Sequence, residues 1–125
     1  MRTLHTRKAP AAIGPYSQAV EAGGFLFSAG QIGLIPETGE FAGPDVETQA
    51  RQVFENLGAI LEEAGVSLSD VVKTTVYLEN MAEFPLVNAI YAKYFTEPYP
   101  ARSTVAVVGL PKGARVEIDI VARVR

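Results

Sequence analysis

The chain has 125 residues, of which 48% are hydrophobic and 20% charged, and its net charge is −3. This composition predicts one folded domain, residues 1–125, and offers no electrostatic basis for binding RNA or DNA. The absence of cysteine and the single histidine, His5, exclude disulfides, thiolate nucleophiles and histidine-rich metal sites. No apolar stretch reaches the length of about 18 residues that a membrane span needs, and the N-terminus lacks the apolar core of a signal peptide, so we expect a cytoplasmic protein.

The first third of the chain predicts a strand hairpin followed by a loop. Residues 25–29 form a short apolar run after Gly23-Gly24, and residues 16–20 are expected to pair with this run across the glycines. Residues 34–44 hold several glycines and prolines, which is typical of a loop.

The middle of the chain predicts two helices separated by a strand. Asp45 is suited to cap the first helix, whose apolar residues recur at intervals of three and four through residue 64, and Gly65 is suited to end it. Residues 71–78 alternate in the manner of a strand. The second helix is expected to begin at Pro85, since the residue before a proline avoids helical dihedral angles, and to end before Pro98.

The last third of the chain predicts an antiparallel hairpin with charged residues on one face. Residues 100–108 and 115–120 are β-rich runs joined by a turn of glycine and proline. Pairing of Val108 with Arg115 sets which residues share a face. One face would then gather Arg102, Thr104, Glu117 and Asp119. A guanidinium beside a carboxylate could hold a carboxylate substrate and a water there, although the spacing alone favours a salt-bridged solvent face.

The order of these elements predicts an α+β fold in which a mixed or antiparallel sheet of about six strands carries both helices on one face. The opposite face would carry Tyr16 or its neighbours together with Thr75, Tyr77, Ala106 and Val121, and this surface is too apolar to face water alone. Small domains commonly cover such a face with a second copy of themselves. We therefore expect a homo-oligomer whose interface includes or borders the side of the sheet that holds Arg102 and Glu117.

Short motifs occur in order along nearly the whole chain. They are Ile13-Gly14-Pro15-Tyr16-Ser17-Gln18-Ala19, Gly30-Gln31-Ile32, Gln49-Ala50-Arg51-Gln52 with Asn56-Leu57, Val72-Lys73-Thr74-Thr75-Val76-Tyr77-Leu78, Phe84 with Val87-Asn88, Tyr94-Phe95, Pro100-Ala101-Arg102-Ser103, Leu110-Pro111 and Val116-Glu117-Ile118. Each motif is weak alone, but the ordered set resembles the RidA/YjgF family of reactive-intermediate deaminases, which act on imines and enamines.

The resemblance implies a chorismate-mutase-like fold assembled as a homotrimer, with three active sites in the clefts between subunits. It implies hydrolysis of short 2-imino acids, such as 2-iminobutanoate and 2-iminopropanoate, to 2-oxo acids and ammonia. These compounds arise as enamines when pyridoxal-phosphate dehydratases remove water from threonine or serine, so the reaction would detoxify intermediates. No metal or organic cofactor is expected, and neither a membrane nor a nucleic acid is expected as a partner.

The resemblance also assigns roles to individual residues. Arg102 would bind the substrate carboxylate through two parallel hydrogen bonds, and Glu117 would orient and deprotonate the attacking water. Tyr16 would place a hydroxyl at the edge of the cleft, the amide of Gly30 would help to bind the carboxylate, and Asn88 would lie near the cleft. For each residue a structural role is the alternative. Arg102 pairs with Glu117 or with an acidic group of a neighbouring subunit, and Glu117 is one charged residue of an alternating strand. Tyr16 is a buried interface tyrosine, Gly30 is a turn glycine, and Asn88 is a cap or a surface amide.

Two positions depart from the commoner family pattern, and one charged residue receives no role. Ala29 stands where many members have serine, and Thr104 stands where many have cysteine, so a contact to substrate or water there must come from the threonine hydroxyl or the backbone. Asp119 is interpreted as one charged residue of an alternating strand. Two further functions stay open: a regulatory module that binds a small carboxylate, and a ribonuclease or translation inhibitor.

Overall fold

Two helices and seven strands make up the chain, and the computed structural model describes all of it, Met1–Arg125. The helices are α1 (Val46–Glu63) and α2 (Phe84–Tyr94). The strands are β1 (Arg2–Leu4), β2 (Ala19–Ala22), β3 (Phe25–Ser28), β4 (Gln31–Ile32), β5 (Val71–Leu78), β6 (Ala101–Ala106) and β7 (Val116–Arg123). They form one sheet in the order β1-β2-β3-β7-β5-β6, with β4 also paired to β7. Only β5 and β6 are parallel.

The first helix begins and ends where the sequence predicts. The carboxylate of Asp45 accepts a hydrogen bond of 2.9 Å from the backbone N–H of Thr48, which satisfies an amide that the first turn leaves unpaired. Past the last turn, Gly65 has a φ of 77°, a left-handed conformation that glycine adopts without a steric penalty. The second helix begins one residue earlier than predicted, at Phe84, with Pro85 in its first turn.

The predicted hairpin at Gly23-Gly24 is present, with its strands shifted toward the turn. Both glycines have positive φ, as a tight two-residue turn between antiparallel strands requires. β2 covers Ala19–Ala22 rather than residues 16–20, and the residues before it form a separate segment. β1, which the sequence analysis did not predict, pairs with the outer edge of β2 and brings the number of strands to seven.

The predicted hairpin at the end of the chain is wrong, because β5 lies between β6 and β7. β6 pairs with β5 in parallel and β7 pairs with β5 in antiparallel. The connection from residue 107 to 115 crosses the end of β5 instead of turning back on itself. Both ends of this connection are hydrogen-bonded to the C-terminal end of β5. Val107 N–H donates to Leu78 O at 2.9 Å, and Glu79 N–H donates to Arg115 O at 3.2 Å.

This topology changes which residues share a face. Arg102 lies opposite Thr74, which is fully buried beneath the helices, and Thr104 lies opposite Val76 on the same side. Glu117 and Asp119 alternate with buried residues of β7 and therefore point to the other side. The prediction that Arg102 and Thr104 share a face with Glu117 and Asp119 is wrong.

Both helices cover one face of the sheet, as predicted. A single core of 22 buried residues joins α1 and α2 to alternate residues of the central strands. The remaining residues of these strands form the open face, which no element covers. Its apolar members include Phe25, Phe27 and Val105, which are 38%, 44% and 41% exposed, together with the half-buried Tyr77 and Val121. Ala106, predicted to lie on this face, pairs with Leu78 and points to the helix side. Neither helix is both long and apolar enough to cross a bilayer.

Candidate active site

A cavity of about 570 Å³ lies where the segment before β2, the link between β3 and β4, and the start of β7 meet. Tyr16, Gly30 and Glu117 line it, so three of the predicted site residues are brought together. Apolar side chains, among them Ile13 and Leu34, form much of the remaining wall. The cavity therefore combines one ionisable carboxylate with largely apolar surroundings, a combination typical of small-molecule sites.

The backbone leaves the sheet at Ala29-Gly30, and Glu117 fills the space. Both β3 and β4 pair with β7, but the hydroxyl of Ser28 accepts the hydrogen bond of Ile120 N–H at 3.0 Å in place of a backbone carbonyl. A Cβ atom on Gly30 would lie 2.7 Å from Cδ and from Oε2 of Glu117. Gly30 is therefore needed for close approach, and what approaches it within the chain is the Glu117 carboxyl group.

The environment of Glu117 favours its protonated form. Burial raises the pKa of Glu117 above its ordinary value, and the negative charge of Asp119 raises it further. Burial also raises the pKa of Asp119, against the hydrogen bond that Tyr77 donates to it at 3.1 Å. A carboxyl group of raised pKa beside a cavity is a stronger base than an ordinary carboxylate and is suited to accept and return a proton.

A buried glutamine holds the cavity wall that carries Tyr16. Gln18 is 2% exposed, and its side chain accepts from Thr6 N–H at 2.7 Å and donates to Thr6 O and Pro10 O at 3.0 and 2.8 Å. These bonds fix the chain on both sides of Tyr16, whose own side chain is 54% exposed at the cavity. Sequence analysis assigned no function to Gln18, although it lies within the first motif.

Arg102 belongs to a second cluster on the helix side of the sheet. Its Nη1 donates to Asn88 Oδ1 of α2 at 2.7 Å, and its guanidinium lies 5.1 Å from the ring centre of Phe84 and 4.7 Å from that of Tyr91. The hydroxyl of Thr74 holds Tyr91 in turn, at 2.9 Å. Arg102 is thus oriented by an amide and two aromatic rings, and these ring partners were not predicted.

The guanidinium of Arg102 forms no ion pair within the chain. The alternative that it pairs with Glu117 of its own chain is therefore wrong. Thr104, half-buried two residues further along β6, forms no side-chain hydrogen bond with it. Because only β5 pairs with β6, this strand is an edge of the sheet and Arg102 lies at the periphery.

The predicted site residues therefore fall into two half-sites on opposite faces of the sheet. The cavity half-site comprises Tyr16, Gly30 and Glu117, and the edge half-site comprises Arg102, Asn88 and Thr104. Of the predicted residues, the cavity half-site supplies only the proton acceptor and the edge half-site only the guanidinium; the cation in the cavity wall is Lys112, which was not predicted. No group of three histidine, cysteine, aspartate or glutamate side chains is arranged to hold a metal ion.

Comparison with known proteins places these residues in a family context. The sequence profile of the family described as Endoribonuclease L-PSP matches residues 6–124. Reactive Intermediate Deaminase A, chloroplastic, of Arabidopsis thaliana is 54% identical over 119 residues, which are 95% of this chain and 64% of that protein. This chain thus spans somewhat less than two thirds of the length of the plant relative.

Solved structures agree with the fold. RidA from the Antarctic bacterium Psychrobacter sp. PAMC 21119 superposes with a TM-score of 0.95 at 47% identity, covering 99% of this chain and 100% of that one. TdcF from E. coli, solved with bound serine, superposes with a TM-score of 0.93 at 42% identity, covering 100% of this chain and 99% of that one.

Proposed function

This chain belongs to the Endoribonuclease L-PSP family, that of the RidA and YjgF proteins, and from that premise we propose that it hydrolyses short 2-imino acids to 2-oxo acids and ammonia. One water is consumed for each C=N bond that is cleaved. The observation that carries the proposal is Glu117, a half-buried carboxylate of raised pKa packed over Gly30 in the wall of a cavity that Tyr16 also lines.

Glu117 acts on water and then on the nitrogen. Its carboxylate accepts a proton as the water oxygen attacks the imine carbon, which gives a carbinolamine. Glu117 then passes this proton to the nitrogen, and it takes up the proton of the carbinolamine hydroxyl as the C–N bond breaks, the carbonyl forms and ammonia leaves. Such imines also hydrolyse without a catalyst, so holding the substrate and the water together supplies much of what is required.

A second copy of the chain supplies the carboxylate-binding half of the site. Arg102 is oriented by Asn88 and two rings, forms no ion pair, and lies at an open edge. The open face of the sheet carries exposed apolar side chains that a second copy would cover. We therefore place Arg102 of one subunit beside Glu117 of the next, in a homotrimer with three such sites. The serine bound to the related TdcF supports a ligand with a short side chain and a carboxylate.

The test couples the protein to a threonine dehydratase and follows the appearance of 2-oxobutanoate against the spontaneous rate. We expect the wild-type protein to accelerate the reaction and Glu117→Gln to abolish most of the acceleration. Glu40→Gln, which removes a carboxylate from an exposed loop, is the matched control and should leave the rate unchanged. Wild-type protein that fails to exceed the spontaneous rate would rule out this function.

Cleavage of RNA is the second candidate, because the family description names an endoribonuclease. The net charge of −3 and the carboxylate in the cavity argue against a site for a polyanion. Incubation of labelled RNA with the same three proteins separates the two functions. Cleavage that Glu117→Gln abolishes, in protein that shows no imine hydrolysis, would reverse the ranking.

A further inference from the structure

A second carboxylate lies beside Glu117 on the open face and has its own hydrogen-bond partner. Glu117 and Asp119 are two residues apart on β7, so their side chains leave the same face at positions about 7 Å apart. Tyr77, which lies opposite Glu117 on β5, donates its hydroxyl to Oδ2 of Asp119 at 3.1 Å instead. Asp119 is thus a half-buried, oriented group, and the interpretation as a solvated strand residue does not account for it.

No cation forms an ion pair with either carboxylate within the chain, although burial raises the pKa of Asp119 against the opposing positive charge of Lys73. Lys73, on the same face of β5, donates its ammonium to the hydroxyl of Ser103 at 2.9 Å and forms no ion pair with either carboxylate. Lys112 and Tyr16 line the cavity with Glu117 but form no bond to its carboxylate. Within one chain, the groups near Glu117 are therefore the negative charge of Asp119, two phenol hydroxyls, and two cations that form no ion pair with it. The proposed assembly adds one more cation, Arg102 of the next subunit, whose charge is balanced by the substrate carboxylate.

We propose that Asp119, held in place by Tyr77, is a positioning residue for the hydrolysis that acts through Glu117, enabling this carboxylate to keep the proton it takes from water until it passes to the departing nitrogen. This inference rests on the proposed function of the cavity. A neighbouring negative charge disfavours the ionised form of a carboxyl group, so Glu117 holds a proton more firmly while Asp119 stays charged. The bond from Tyr77 favours the charged form of Asp119.

The step requires a firm but reversible hold on one proton. A carboxyl group with an ordinary pKa near 4.3 is a weaker base and holds the proton less firmly. Burial and the negative charge of Asp119 both raise the pKa of Glu117. Removing the charge of Asp119 would therefore leave the part of the increase that burial causes. Because the two carboxyl groups interact, the pH dependence of the rate reports the pair rather than either group alone.

Asp119→Asn removes the charge and keeps an oxygen that can accept from Tyr77. We expect the acidic limb of the pH–rate profile to move to lower pH by roughly half a unit to nearly two units, the range that a like charge about 7 Å away produces between bulk water and a protein surface. We expect kcat at neutral pH to fall about twofold to tenfold with no rise in KM. Asp119→Glu restores a charge on the same face and should return the limb toward its wild-type position.

A second readout does not depend on turnover. The side-chain carboxyl carbons of ¹³C-labelled glutamate are titrated by NMR, with the Glu117 signal assigned as the one missing from Glu117→Gln. Its midpoint should fall in Asp119→Asn, and by a smaller amount in Tyr77→Phe, since loss of the tyrosine bond weakens the charge on Asp119 without deleting it. Glu55→Gln is the matched control: it deletes another carboxylate that accepts from a tyrosine, Tyr94 at 3.3 Å, on the helices.

The outcomes separate the two proposals. Wild-type protein without imine hydrolysis overturns the proposed function. Active Asp119→Asn protein whose pH limb and Glu117 midpoint match those of Glu55→Gln overturns the role of Asp119 and leaves the function standing. A fall in kcat with an unmoved midpoint shows that Asp119 is merely structural, which also overturns the inference.

Discussion

The Glu117 carboxyl group lies directly against the backbone of Gly30, so that a single added methyl at Gly30 would come within 2.7 Å of it. Gly30 lies in the short link between β3 and β4, and Glu117 lies on β7, the strand with which both β3 and β4 pair. The absence of a side chain at Gly30 therefore determines where the carboxyl group of Glu117 can lie.

Gly30→Ala is therefore expected to displace Glu117 without unfolding the chain. The side chain of Glu117 must rotate or the link must shift, and either movement separates the carboxylate from the attacking water. We expect kcat for imine hydrolysis to fall about tenfold to hundredfold, the size of effect that a displacement near 1 Å has on positioned groups. The measurement is the coupled assay with thermal unfolding recorded alongside it.

Gly58→Ala is the control for this change. Gly58 lies inside α1, where an added Cβ would meet nothing within 4 Å, so the substitution should stabilise the fold by up to about 1 kcal/mol and leave turnover intact. Full activity of Gly30→Ala would show that Glu117 does not need its observed position.

Arg102→Lys tests the oriented guanidinium. Lysine keeps the charge but cannot present two parallel donors or stack between Phe84 and Tyr91 in the same way. We expect KM to rise about tenfold or more with a smaller change in kcat, and Asn88→Ala to produce a weaker rise of the same kind. The control is Arg7→Lys, at an exposed residue that forms no ion pair, and it should leave both KM and kcat unchanged. If KM is also unchanged in Arg102→Lys, Arg102 does not bind the substrate.

Local signals in the sequence were sufficient for some elements and misleading for others. The first helix followed from its cap at Asp45, its periodic apolar residues and Gly65, all of which lie within the helix or next to it. The final hairpin failed because two β-rich runs around a glycine–proline turn look like neighbours whether or not a third strand lies between them. The strand that separates them, β5, comes from more than twenty residues earlier in the chain.

A signal for the correct topology was nevertheless present. A strand, a helix and a second strand in succession form a parallel pair in which the helix makes the crossover, and β5, α2 and β6 are such a unit. That reading would have paired β6 with β5 and put Arg102 on the side of α2, where Asn88 and the rings lie. By contrast, the close approach of Glu117 to Gly30 depends on the register between distant strands, which no local pattern fixes.

Mixing two inactive variants tests whether the half-sites meet between subunits. Arg102→Ala lacks the edge half-site and Glu117→Gln lacks the cavity half-site, so each alone should be inactive. Unfolding and refolding an equal mixture gives oligomers in which about a quarter of the sites combine an intact Arg102 from one subunit with an intact Glu117 from its neighbour. We expect activity to return to about that fraction of wild type in the coupled assay.

Refolding each variant separately and then mixing them briefly is the control, because subunits that have not exchanged form no hybrid site. Light scattering on the same samples should give three chains per particle. No return of activity in verified hybrid oligomers would mean that the two half-sites do not form one catalytic centre.

We expect the charged side chain of Glu117 to lower the free energy of unfolding at neutral pH. Its pKa in the folded chain lies above the ordinary value, so the folded state binds the proton more tightly than the unfolded state does. The contribution of Glu117 to stability therefore falls as the pH rises through the window between those two pKa values, and the loss is complete above the folded pKa.

Glu117→Gln, neutral at every pH, should unfold at a higher urea concentration than wild type at pH 7. This difference should vanish below about pH 4, where both side chains are uncharged. The two proteins are compared at one chain concentration, because association would shift the midpoint, and the exposed Glu40→Gln should show no such pH-dependent gain. A gain of equal size at both pH values would assign it to packing rather than to the charge on Glu117.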